Sequence, residues 1–153
     1  MRALLLITAF AVASLARAEL VGRVVSVGDG DTLTLLVENK QVKVRLDAID
    51  APERGQPYGR HSQESLTELC AKRSARVVER GVDRYGRTVG VIVCDGVEAN
   101  SEQVRRGMAW VFERYAPRSS PLYGLQREAQ ATRRGLWTDP QPVAPWAWRR
   151  RSG

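Results

Sequence analysis

Thr32-Leu33-Thr34-Leu35-Leu36-Val37-Glu38-Asn39-Lys40-Gln41-Val42-Lys43-Val44-Arg45-Leu46 is the stretch on which the fold turns. Thr32 to Val37 is rich in strand formers, Glu38-Asn39-Lys40 has turn composition, and Gln41 to Leu46 alternates polar with apolar. Together they predict an antiparallel hairpin. With the turn near Asn39, facing residues have numbers that sum to roughly 79, which sets Asp31 beside Ala48.

The flanks of this hairpin are acidic. Upstream stands Gly28-Asp29-Gly30-Asp31-Thr32, and downstream Asp47-Ala48-Ile49-Asp50-Ala51-Pro52-Glu53. The pairing therefore gathers Asp31, Asp47, Asp50 and Glu53 at one end of a two-stranded element. Carboxylates in a small volume repel, and one would be driven to protonate unless a positive partner is present. Oxygen donors without a thiol or imidazole suit a hard divalent cation, calcium or magnesium. Arg45 precedes the cluster on the same strand, so a cation and a guanidinium fork could flank one anionic group, a pairing that suits phosphate. Taken singly, residues 28–32 read as an ordinary turn and residues 47–53 as an acidic surface loop. Their convergence is what points to a site.

These residues carry a resemblance. Gly-Asp-Gly-Asp-Thr at 28–32, Val-Arg-Leu at 44–46, Ile-Asp-Ala-Pro-Glu at 49–53 and Asp-Arg-Tyr-Gly-Arg at 83–87 resemble, in order and spacing, the signatures of the staphylococcal (thermonuclease) nuclease family. The likeness runs from about residue 20 to Gly135-Leu136-Trp137. It implies calcium-dependent hydrolysis of phosphodiester bonds in DNA and RNA, yielding 3′-phosphate ends. One calcium ion would be held by Asp31 and Asp50 with the main-chain carbonyl of Ala51. Arg45 and Arg87 would grip the phosphate, and Glu53 would act on the attacking water, as general base or by ordering water and Arg87. Arg84, Tyr85 and Tyr115 would touch substrate. The chain departs from the family's usual pattern in having Ala51 for threonine, and Glu113 in place of one tyrosine of a substrate-contacting pair. The alternative is a catalytically silent OB-fold module that binds nucleic acid or protein, but every acidic and basic side chain implicated in the site is present.

The first eighteen residues read as an export signal. Arg2 supplies a positive start, Ala3 to Ala13 are apolar except for Thr8, and Ala16-Arg17-Ala18 is a small-x-small cleavage site. The apolar run is short of the ~20 residues that a membrane-spanning helix needs. The expected mature chain, residues 19–153, is one nuclease domain, exported to a periplasm or the exterior, monomeric and not membrane-associated once the signal is removed. Losing Arg2 and Arg17 lowers the net charge from +7 to +5. Lys40, Lys43 and Lys72 are the only lysines, so the basic character is almost entirely arginine, which suits polyanions. The same charge would also serve simple solubility.

Cys70 and Cys94 are the only cysteines. In an oxidising compartment they predict one disulfide; two separately buried thiols are the alternative. His61 is the only histidine, which excludes a two-histidine mechanism, and without a Gly-x-Ser-x-Gly elbow a serine triad has no support.

Further strands are predicted at Leu20–Val27, Ala75–Glu79 and Val89–Val93, with a helix over His61–Lys72 whose apolar face is Leu66, Leu69 and Cys70. Asn100 is predicted to cap a short helix to Arg106, with Gln103 in the capping-box position and Gly107 as terminator. Ser120 and Pro121 open a last helix that runs to Gly135. The Pro-, Trp- and Arg-rich tail, residues 138–153, reads as an irregular segment strapped to the surface by Trp146 and Trp148. The fold class is α+β, mainly β: a five-stranded OB-fold barrel with about three packed α-helices. The resembled family has that architecture.

Overall fold

The computed structural model describes residues 19–152. The expected export signal, residues 1–18, lies outside the described residues. Strands β1 (Glu19–Asp29), β2 (Thr32–Val37) and β3 (Lys40–Leu46) form a meander, followed by a two-residue strand β4 (Ile49–Asp50) and helix α1 (Gly59–Cys70). Then come β5 (Ser74–Val82), β6 (Thr88–Cys94), the short β7 (Val97–Glu98), α2 (Ala99–Arg105), the short β8 (Trp110–Val111), α3 (Leu122–Ala131) and α4 (Pro145–Ser152). The sheet order is β3-β2-β1-β5-β6, and a parallel pairing of β3 with β6, from Val44↔Thr88 to Leu46↔Gly90, closes it into a five-stranded barrel. This is the predicted OB-type architecture, with closure leaving no free edge among those five strands. No helix among the described residues is long and apolar enough to cross a membrane.

The hairpin forms with a tighter turn than expected. Val37 faces Lys40 and Thr32 faces Arg45, so partners sum to 77. Glu38 and Asn39 alone make the turn, both left-handed at φ 46° and 65°, as a two-residue hairpin turn with the sheet's own twist requires. Asp31 consequently stands against Leu46, whose N–H donates to the Asp31 carbonyl at 2.8 Å, and not against Ala48. A shift of two leaves every side chain on its original face, because the pleat repeats every two residues.

Alternate residues of the strands turn inward. Leu33 and Leu35 of β2, Val44 and Leu46 of β3, Val77 and Ile92 are fully buried and meet Leu66, Leu69 and Cys70 from the apolar face of α1. Cys70 ends α1, Cys94 ends β6, and their sulfurs are bonded with the Cα atoms 5.3 Å apart. This settles the alternative of two free thiols. Closing a loop of about this length contributes roughly 3 kcal/mol through the unfolded chain.

Four further expectations are corrected. Asn100 does not cap α2. It is buried, its amide nitrogen donates to the carbonyls of Asp47 and Gly90, and its oxygen accepts from Ile92 N–H at 2.9 Å. Gln103 likewise abandons the capping box to donate to the carbonyls of Gly30 and Ser62 at 2.7 and 3.0 Å. Backbone groups buried where elements meet must find partners, and that demand outranks a cap that water could replace. Helix α3 ends at Ala131, short of Gly135, which instead opens a 3-10 turn at Gly135–Thr138. Gly107 terminates α2 as expected, at φ 68°. The tail is also more ordered than its composition suggests. Pro145 is the first residue of helix α4, where its fixed φ favours initiation, and Trp146 stacks on Phe112 with centroids 5.3 Å apart and planes inclined by 8°.

Candidate active site

The turn between β1 and β2 sets the first acid in place. Gly30 runs so close to α1 and to the 51–53 loop that a Cβ there would lie 1.8 Å from Ser62 Oγ and 2.8 Å from Ala51 Cβ. This tight approach tucks Asp31 inward. One carboxylate oxygen accepts from Ala51 N–H at 2.9 Å and from Arg45 Nη2 at 3.4 Å, and the other from the Thr32 hydroxyl at 3.0 Å. Asp50 lies on β4, whose pairing with β8 sets it opposite Trp110 and leaves it 1 % exposed. Arg45 Nη2 reaches Asp50 Oδ1 at 3.0 Å. A single guanidinium nitrogen thus touches two carboxylates 19 positions apart in the chain.

Glu53 follows on the loop after β4. Buried Gln56 orders that loop, its side-chain oxygen accepting from Glu53 N–H at 3.0 Å. Across the cavity, the turn between β5 and β6 carries Arg87, whose Nε donates to Asp83 at 2.7 Å. Asp83 also accepts from the N–H groups of Tyr85 and Arg87. Burial works to raise its pKa, but those accepted hydrogen bonds and the Arg87 charge outweigh it and hold the group below the usual aspartate range. Tyr85 is 68 % exposed, and the guanidiniums of Arg84 and Arg87 lie over its ring at 4.8 and 5.3 Å. Tyr115 stands on the far rim, edge-on to Phe112 and beneath the guanidinium of Arg114.

Asp31, Arg45, Asp50, Ala51, Glu53, Arg84, Tyr85, Arg87 and Tyr115 therefore line one open cavity of about 750 Å³. Each residue expected at the site borders that cavity. Cys70 and Cys94 are elsewhere, at the ends of the elements they join. Asp29 and Arg114 line the cavity too, and so does Arg149 from α4, which sequence reading left in the tail. Arg149 Nη2 donates to Asp50 Oδ2 at 2.7 Å, and Nη1 to Asp50 Oδ1 at 3.3 Å and Glu53 Oε1 at 2.5 Å. These pairs span 99 and 96 positions of sequence. The run of three arginines at 149–151 was the only local signal, and nothing local says which of them turns inward.

Burial and neighbouring carboxylates act together on the acids of the cavity. Burial, then the charge of Asp31, raises Asp29 to about 6. Asp50 is raised as well, first by burial and then by Asp31, against the opposing hydrogen bond from Arg149. Among the described residues no three His, Cys, Asp or Glu side chains are gathered as a closed metal site needs. The donors that do converge are two buried carboxylates, already neutralised by two guanidiniums. Hard oxygens that need positive partners fit calcium or magnesium and do not fit a thiophilic metal.

Comparison with known proteins gives a consistent result. The profile of the family described as "Staphylococcal nuclease homologue" matches residues 43–139, more than half of the chain. A "Micrococcal nuclease" of Shigella flexneri is 40 % identical over 141 residues, covering 86 % of this chain and 81 % of that protein. Proteins described as "Uncharacterized endonuclease" are similar at 45 % identity over 136 residues in Escherichia coli O157:H7, covering 88 % of each chain, and at 44 % over 130 residues in Haemophilus influenzae, covering 84 % of this chain and 72 % of that one.

Proposed function

Because this chain belongs to the staphylococcal nuclease family, with relatives described as nuclease and endonuclease, we propose that it is a calcium-dependent nuclease cutting DNA and RNA to 3′-phosphate ends. The observation that carries the reading is the meeting of Asp31 and Asp50 on one nitrogen of Arg45, with Glu53 and Arg87 on the same cavity.

Asp31, Asp50 and the carbonyl of Ala51 are the groups that would hold one calcium ion. When bound, the ion polarises a phosphoryl oxygen and orients water. Pro52 biases Ala51 toward an extended backbone, so Asp50 and Glu53 are presented as stiff neighbours on the rim. Loss of the usual threonine at 51 costs little on this reading, because the donor is a main-chain oxygen.

The protein's own residues do the remainder. Arg45 and Arg87 direct guanidinium donors at the phosphate, where negative charge grows as the water oxygen bonds to phosphorus. Glu53 holds that water and accepts its proton, or orders it with Arg87. The bond from phosphorus to the 5′ oxygen breaks, the 5′ oxygen takes a proton, and phosphate stays on the 3′ side. Arg84, Tyr85 and Tyr115 offer exposed aromatic and cationic surface for sugar and base, with stacking that tolerates any base. Glu113 in place of a second tyrosine bears on base preference more than on turnover. The disulfide and the N-terminal composition support an exported protein cut after Ala18.

A plasmid and an RNA transcript incubated with protein plus calcium should be degraded, and an excess of chelator should stop both. Equal degradation with chelator would overturn the metal-dependent reading. No degradation in either condition would favour the silent binding module.

A further inference from the structure

The arginine from α4 occupies the acidic site as a cation would. Both oxygens of Asp50 accept from its guanidinium, at 2.7 and 3.3 Å, and one of its nitrogens is shared with Glu53. Asp50's side chain is 2 % exposed, whereas that of Arg149 is 43 % exposed, so the carboxylate is fixed and the arginine has a route out to solvent. The approach of α4 is built, not incidental. Gln56 Nε2 donates to the Val143 carbonyl at 2.6 Å while its oxygen holds the Glu53 loop, and Trp146 stacks on Phe112. One glutamine thus ties the Glu53 loop to the segment that leads into α4. Residue 149 lies beyond residue 139, where the family match ends.

A calcium ion needs Asp50 oxygen at about 2.3–2.6 Å, and on a buried carboxylate that already accepts from both Arg45 and Arg149 a third cation is repelled by both and crowded by the guanidinium that covers both oxygens. We propose that Arg149 is an internal competitor of the metal: it neutralises Asp50 and Glu53 in the metal-free protein and leaves them when the ion binds, which loosens α4 and opens the cavity. This rests on Asp31 and Asp50 being the cation site. The C-terminal helix is then a latch that sets the calcium concentration at which the enzyme switches on.

Calorimetric titration of the full chain with calcium chloride tests it, alongside Arg149→Ala, Arg149→Gln and the control Arg150→Ala. Losing charge-assisted hydrogen bonds to a buried carboxylate should tighten calcium binding about tenfold or more in both Arg149 variants. Arg150→Ala removes the same charge from the same helix without touching the acids, and its affinity should stay within about twofold of wild type. Hydrogen exchange of the α4 amides in the wild type should accelerate when calcium is added. Equal calcium affinity in wild type and both Arg149 variants, an equal gain in Arg150→Ala, or unchanged α4 exchange would each overturn the latch while leaving the metal site standing. Absence of calcium binding in every protein would overturn both.

Discussion

Replacing Gly30 by alanine tests whether the first acid is positioned by close packing. Gly30 carries no left-handed φ, so the requirement is purely spatial. The added Cβ would fall 1.8 Å from Ser62 Oγ, 2.6 Å from Ser62 Cβ and 2.8 Å from Ala51 Cβ. Ser62 Oγ donates to the Met108 carbonyl at 2.6 Å, and Gln103 clamps the carbonyls of Gly30 and Ser62 together, so neither side yields without loss. Overpacking of this kind costs about 1–3 kcal/mol, and the disturbed hydrogen bond adds about 1 kcal/mol. A total near 3 kcal/mol is a large share of a typical ~5–15 kcal/mol stability. With a urea slope of roughly 1.5 kcal/mol per molar, the unfolding midpoint should fall by about 2 M, the disulfide being kept oxidised. Ser62→Gly removes the nearest of the clashing atoms, so the double variant should lose less than the two single losses added together. Calcium binding should weaken in Gly30→Ala, because Asp31 is displaced from Ala51 N–H. A midpoint within about 0.3 M of wild type, or strict additivity in the double variant, would refute the packing argument.

Glu53→Gln and Arg87→Ala should each lower kcat by orders of magnitude with the folded state intact, since both groups are assigned to the transition state. Steady-state digestion at saturating calcium reads this directly, and near-normal turnover in either variant removes that assignment. Asp83→Asn tests the support of Arg87. The folded pKa of Asp83 is depressed, so its contribution is present above the ordinary aspartate range and is lost as pH falls through the folded value. The variant should be about 1 kcal/mol less stable at pH 7, with the gap closing in acid, and urea midpoints from neutral to acidic pH should show it. A gap of constant size would refute it.

The barrel was legible because its strands announce themselves locally. Alternation in Gln41–Leu46 and the strand formers of Thr32–Val37 required a hairpin, and side-chain parity held Asp31 to the correct face even though the register moved by two. The acids and Arg45 could be placed together from sequence because a hairpin converts 14 positions of separation into adjacency, and the order of the motifs carried Arg87 and its turn. What sequence could not decide was everything whose partner arrives from a distant element. Asn100 and Gln103 have ordinary capping spacing, yet buried carbonyls 53 and 73 positions away claim them. Three consecutive arginines stand at 149–151, and the seating of Trp146 on Phe112 with the anchoring of Val143 by Gln56 selects Arg149 to enter the site. Local pattern reports the conformation a segment favours in isolation. Which polar group is left in need of a partner once the core is closed is a property of the assembled protein, and here that need determined who stands on Asp50.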